Sequence, residues 1–144
     1  MSTGRFWTTA IAVWIVRTVM NSLFYGVLVG PRFAAIAARH PGMFRTVIPA
    51  YIVADLLFAI VFTLLFTKVG AALGGGIIGG IALGLFVAIL APVIGSVYEY
   101  YSVTYLSARL HWATVIYQVF AHIMQGIIAG ALYKTGASAR GATA

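Results

Sequence analysis

The sequence predicts an all-α protein: a four-transmembrane-helix bundle, antiparallel, with a short interfacial helix between the first two spans. Three observations carry that prediction. Of 144 residues, 62% are apolar and 8% charged, against about 25% charged in an ordinary soluble domain, and the mean hydropathy is +1.04. A bilayer core about 30 Å thick needs about 20 helical residues to cross it, and four apolar runs reach that length, over residues 6–30, 47–67, 73–97 and 112–133. Finally, Arg5, Arg32, Arg39, Arg45, Lys68, Arg109, Lys134 and Arg140 stand at or beyond the ends of those runs, where cations meet headgroups or snorkel towards water. A soluble domain is excluded. So is a nucleic-acid surface, because the net charge of +7 forms no patch on a polar face. With no cysteine and two acidic side chains, disulfides, thiolate metal sites and most paired-carboxylate chemistry fall away as well.

The first run follows Arg5 as a signal peptide would. However, Arg17 and Asn21 interrupt it, it is too long, and no small-residue cleavage pattern follows, so it is expected to be a retained helix. Between the first and second runs, Arg32 to Arg39 reads as an interfacial helix, with arginines on an apolar segment, closed by a His40-Pro41-Gly42 turn. The connection after Lys68 is short and makes the middle spans an antiparallel hairpin. Within the third run, Pro92 removes a backbone hydrogen bond and is expected to kink the helix. Tyr98, Tyr100, Tyr101 and Tyr105 follow it, an aromatic cluster suited to the headgroup level, and Trp7 and Trp112 anchor the starts of the first and fourth spans. The tail 134–144 is small and polar and is expected to be disordered. The whole chain, 1–144, then forms one membrane domain with both termini on one side. Lys and Arg divide evenly between the two faces, and the commoner topology of even-numbered bundles places the termini in the cytoplasm.

Helices in a membrane associate by close packing, which small residues permit. Gly76, Gly80 and Gly84 repeat every four residues in the third span, Gly126 and Gly130 lie in the fourth, and Gly26 and Gly30 in the first. These faces predict a tight bundle, or one that also dimerises. The run Gly74 to Gly80 lacks the Lys and Ser/Thr of a phosphate-binding loop.

Charges inside a membrane are expensive and point to function by default. Arg17, Asp55 and His122 lie inside spans, while Glu99 stands at a span end among tyrosines. Counting about 1.5 Å per residue puts Asn21, Asp55 and His122 about 12 to 15 Å below the same face, with Arg17 one turn deeper. Arg17, Asn21 and Tyr25 form one stripe, and Gln118, His122 and Gln125 another. The prediction is an Arg17–Asp55 ion pair supported by Asn21, with His122, Gln118 and Gln125 lining the same interior. One reading makes this network a lock that orients four helices. Another makes it a proton or small-solute site, although a carboxylate that carries protons has to surrender its ion pair in every cycle. A third reading, cofactor binding, finds little support. Bis-histidine haem needs two facing imidazoles, yet His40 is in a loop and His111 at the interface, and no metal-ligand set exists. Ser22, Ser96, Ser102 and Ser107 sit in no nucleophile elbow or dyad, so no enzyme, cofactor or metal is expected.

Across nearly its full length the chain resembles a group of small bacterial integral membrane proteins with four predicted helices and no assigned activity. The matching features are Asn21, Tyr25 and Gly26, the Phe66-Thr67-Lys68-x-Gly70 exit, the glycine-spaced third helix leading into a tyrosine-containing loop, and Gln125-Gly126-x-x-Ala129-Gly130 ending Tyr133-Lys134. That resemblance implies a bacterial inner-membrane protein and brings no catalytic residues. In size and helix number the chain is also similar to the small multidrug-resistance transporters. They carry a membrane-embedded glutamate in the first helix, where this chain has Arg17, and its buried carboxylate is Asp55 in the second. Two functions are therefore expected as alternatives: a non-enzymatic bundle acting as a homo-oligomer or accessory subunit, or a proton-coupled transporter or channel using Asp55.

Overall fold

The computed structural model describes residues 3–42, 47–102 and 106–133. Arg45, Tyr105, Lys134, Arg140 and the tail 134–144 lie outside the described residues. Among the described residues every regular element is helical. Helix α1 (Thr3–Asn21) runs on into a π-helical segment (Ser22–Leu28), and α2 (Gly30–Arg39) is short. Helix α3 (Ile48–Val69) is followed by α4 (Gly76–Ala88), which continues through a second π-helical segment (Ile89–Val93) into α5 (Ile94–Ser102), and α6 (Ala108–Leu132) completes the fold. Four rods, Thr3–Leu28, Ile48–Val69, Gly76–Ser102 and Ala108–Leu132, are long and apolar enough to cross a membrane. This is a multi-pass membrane protein.

Local chemistry sets the boundaries. The third rod starts later than the apolar run suggested, because Gly74, Gly75 and Gly76 take φ of 102°, 68° and 50°, a left-handed stretch open to glycine and closed to most other residues. Ser107 caps α6 by accepting from Leu110 N–H at 3.3 Å, so that helix begins earlier than the run from Trp112 implied. In α2, Pro31 occupies the first turn, where its missing N–H is no loss. Phe33 and Ile36 of this helix pack on Phe24, Val29 and Leu110, while Arg32 and Arg39 stay exposed.

Successive rods alternate in direction. Gly76, Gly80 and Gly84 of α4 meet Gly130, Gly126 and His122 of α6 in descending order, so these two are antiparallel. Ring contacts Phe58 to His122 and Phe66 to Tyr133 ascend together, so α3 and α6 are parallel. The tightest pairing joins α4 to α6. Next, α1 packs on α3 and α6, whereas α3 and α4 scarcely touch beyond their turn. The middle hairpin expected from the short connection is thus a hairpin in direction only, because α4 spends its small face on α6.

That glycine face works within one chain. A Cβ placed on Gly80 would strike the carbonyl of Gly126, one on Gly126 the carbonyl of Gly80, one on Gly130 that of Gly76, and one on Gly84 that of His122. Backbones this close gain dispersion and Cα–H···O contacts, which matter in a bilayer where apolar burial supplies no drive between helices. The other two predicted packing glycines need correcting. A Cβ on Gly26 would meet nothing within 4 Å, and one on Gly30 would meet the backbone of Tyr25 in its own segment. Within this chain neither glycine therefore packs against another rod, and Gly26 is exposed.

Two apolar clusters bracket the centre of the bundle. Val13, Ala59, Phe62, Phe66, Leu83, Ala129 and Tyr133 join all four rods towards one end. Phe24, Val29 and Leu110 form the second cluster at the other. Along α1, Arg17 and Asn21 fall between them.

Candidate functional site

Arg17 and Asn21 are one turn apart on α1 and project together. Opposite them on α3 stand Asp55 and Phe58, at i and i+3. The Arg17 Nε donates to Asp55 Oδ1 at 2.7 Å, and the Asn21 amide donates to both carboxylate oxygens at 3.1 Å. Tyr117 of α6 then donates its hydroxyl to Asn21 Oδ1 at 2.7 Å, and the Phe58 ring lies 4.0 Å from the guanidinium carbon. Side-chain exposure is 16% for Arg17 and 11% for Asp55. The charges are therefore well shielded, and charge-assisted hydrogen bonds together with the cation–π contact offset their desolvation. One nitrogen is left over: Arg17 Nη1 is buried with no partner among the described residues.

The predicted ion pair and its Asn21 support are thus brought together, but the wider network divides. Gln118 Nε2 donates to the Tyr25 hydroxyl at 2.8 Å, forming a separate pair. Tyr25 lies in a segment that is π-helical from Ser22, with the Val29 N–H bonded to the Phe24 carbonyl at 2.9 Å, and it still faces α6. His122 Nδ1 lies 2.6 Å from the Gln118 carbonyl, so it donates there, and its ring edge faces Phe58 at 5.3 Å. Gln125 is completely buried with both amide atoms unpartnered among the described residues. Among the described residues His122 and Gln125 make no hydrogen bond to the joint, although both are buried and His122 meets Phe58, the ring that covers Arg17. In their stead is Tyr117, whose ring stacks on Phe24 at 3.9 Å. Its signal was a hydroxyl-bearing ring well inside a span, where a phenol needs a partner.

A second feature has no signature in the sequence. An open cleft of about 460 Å³ lies between the two π-helical segments, within the size range of small-ligand sites. On one wall Pro92, Ser96 and Glu99 follow i, i+4, i+7. The other carries His111, Thr114 and Gln118 at i, i+3, i+7 of α6, with Tyr25 beside them. Pro92 has no N–H to donate, which the ladder accommodates by widening over Ile89–Val93, and the Ser96 hydroxyl binds the Pro92 carbonyl. Gln118 and Tyr25 face this cleft and also adjoin the Asp55 joint through the Tyr25–Tyr117 ring contact at 5.7 Å.

No protein-family model matches the chain, and no curated protein or solved structure matches it either. Among the described residues no group of three or more His, Cys, Asp or Glu is placed to hold a metal.

Proposed function

We propose that this chain is a non-enzymatic membrane bundle, acting as a homo-oligomer or as an accessory subunit of a larger complex in a bacterial cytoplasmic membrane, with both termini in the cytoplasm. The observation that carries this reading is the closed coordination of Asp55. Arg17 and Asn21 occupy both its oxygens, and Tyr117 extends the joint to a third helix. A carboxylate held in this way orients helices. Because the glycine face is consumed between α4 and α6, contacts with a partner would run over the exposed aliphatic surface instead.

A second reading, a proton-coupled transporter or channel using Asp55, draws on the unpartnered Arg17 Nη1 and on the open cleft one ring away. Reconstitution in liposomes separates the two. If the bundle is structural, the wild type carries no pH-driven flux, Asp55→Asn lowers its stability, and the protein elutes from mild detergent as an oligomer or with copurifying subunits. A wild type that carries pH-driven flux, lost in a folded Asp55→Asn variant, would establish transport and overturn the proposal.

A further inference from the structure

Glu99 is the one formally charged side chain among the described residues lining the cleft, and it has no ion-pair partner among them. One turn from Glu99 and His111 respectively, Ser96 and Thr114 donate their hydroxyl hydrogens to carbonyls of their own helices, Pro92 and Leu110, and so present oxygen acceptors to the cleft, beside the imidazole of His111. His111 is only 4% exposed, and its Nε2 is buried without a partner among the described residues. An unpaired polar atom beside a cleft carries a desolvation penalty that a hydrogen-bonding ligand would relieve. Sign and geometry together call for a cation with several N–H donors. A quaternary ammonium, which has none, fits poorly.

Position identifies the source. Glu99 lies three residues before the end of α5 at Ser102, and His111 three after the start of α6 at Ala108. Both therefore sit near span ends, at the headgroup level, where Tyr98 and Tyr101 of α5 are 73% and 82% exposed. From His111 to Gln118 the wall descends by about 10 Å at 1.5 Å per residue. Phe33, Leu106 and Pro92 complete it with apolar surface. A charged mouth at headgroup level above an apolar wall matches an amphiphile already in the bilayer.

We infer that this cleft binds the headgroup of a membrane lipid ending in a primary ammonium, such as phosphatidylethanolamine. Its ammonium sits on Glu99 and the neighbouring acceptors, and its glycerol and upper acyl segments lie along Phe33, Leu106 and Pro92. This inference does not depend on Asp55 and stands under either function above.

The test uses the full chain in lipid nanodiscs. A water-soluble carbodiimide activates a carboxylate for capture by a nearby amine and leaves as its urea, so in phosphatidylcholine discs doped with a trace of phosphatidylethanolamine the amide adduct on the peptide containing Glu99 should saturate while the amine lipid is still scarce. An adduct that grows only in proportion to the phosphatidylethanolamine content reports random collision and overturns the site. In native mass spectrometry, phosphatidylethanolamine should bind about tenfold to a hundredfold more tightly than phosphatidylcholine, the range of one charge-assisted hydrogen-bonded contact. Glu99→Gln, at an exposed position, should remove that preference, while Arg109→Gln, outside the cleft, should retain it. Equal binding of the two lipids, or a preference that survives Glu99→Gln, overturns the site. Should free ethanolamine block the adduct as effectively as the lipid, the ligand is a soluble amine and the lipid assignment fails. The adduct reads the wild type, so the inference remains testable even if the Glu99 variant does not fold.

Discussion

The Arg17 Nε lies 2.7 Å from Asp55 Oδ1 across 38 residues of sequence, and the same Asp55 oxygen accepts from Asn21 at 3.1 Å. One carboxylate therefore binds two consecutive turns of α1 to α3. Removing either charge leaves the other buried and uncompensated, which costs about 3 to 5 kcal/mol in comparable pairs. Arg17→Met and Asp55→Asn should each lower the thermal midpoint of the detergent-solubilised protein, read by loss of the monodisperse peak in size exclusion. Exchanging the two, Arg17→Asp with Asp55→Arg, should recover part of the loss. If the double exchange melts no higher than either single variant, the pair does not stabilise the fold.

Gly80 and Gly26 give opposite expectations for the same substitution. A Cβ on Gly80 would overlap the Gly126 carbonyl, so Gly80→Ala has to separate the two backbones that pack most closely. Overpacking of this kind costs about 1 to 3 kcal/mol. Gly26 has open space around it, and Gly26→Ala should be neutral or stabilising by up to about 1 kcal/mol through reduced backbone entropy. A midpoint for Gly80→Ala equal to that of Gly26→Ala would contradict the close approach of α4 and α6.

Tyr117 carries two separable contributions. Tyr117→Phe keeps the ring that stacks on Phe24 at 3.9 Å and deletes only the O–H donated to Asn21. Interhelical side-chain hydrogen bonds in membranes average about 0.6 kcal/mol, so a loss of about that size is expected, with Tyr117→Ala costing several times more. The hydroxyl effect should vanish in an Asn21→Leu background. A full-sized loss there would mean that the hydroxyl has another partner.

The four rods were legible because bilayer thickness turns span prediction into a length count, and Arg17 and Asp55 because each is a charge whose depth follows from its place in a run. Tyr117 was harder to see, since tyrosine is equally at home at the headgroup level and only its partner shows otherwise. The cleft was hidden for a different reason. Each extra residue in a helical turn rotates everything beyond it by about 100°, so a straight 3.6-residue register misassigns the faces that follow Ser22 and Ile89. Glu99 stands at the span end that its place in the sequence indicates, and only the packing of α5 beside α6 makes it part of a cavity wall. The pairing of α4 with α6 over α3 agrees with the glycine spacing, because α6 carries glycines four apart and α3 carries none, whereas Gly26 and Gly30 left the first span as a competing partner.

Gln125 is completely buried, and neither its amide oxygen nor its amide nitrogen has a partner among the described residues. Leaving a polar group in this state costs about 1 to 3 kcal/mol, whereas methionine fills a similar length with apolar, adaptable atoms. Gln125→Met should therefore be neutral or raise the thermal midpoint. Gln118→Met should lower it, because it strips the donor from the Tyr25 hydroxyl. Thr9 and Thr63 are also fully buried with unpartnered hydroxyls, so a marked loss in Gln125→Met would mean that the amide is satisfied in the membrane by an internal water. The double variant Thr9→Val with Thr63→Val distinguishes these cases: if the hydroxyls are idle it should be tolerated as well as Gln125→Met, and if they share a water with the amide, all the variants should be destabilised together.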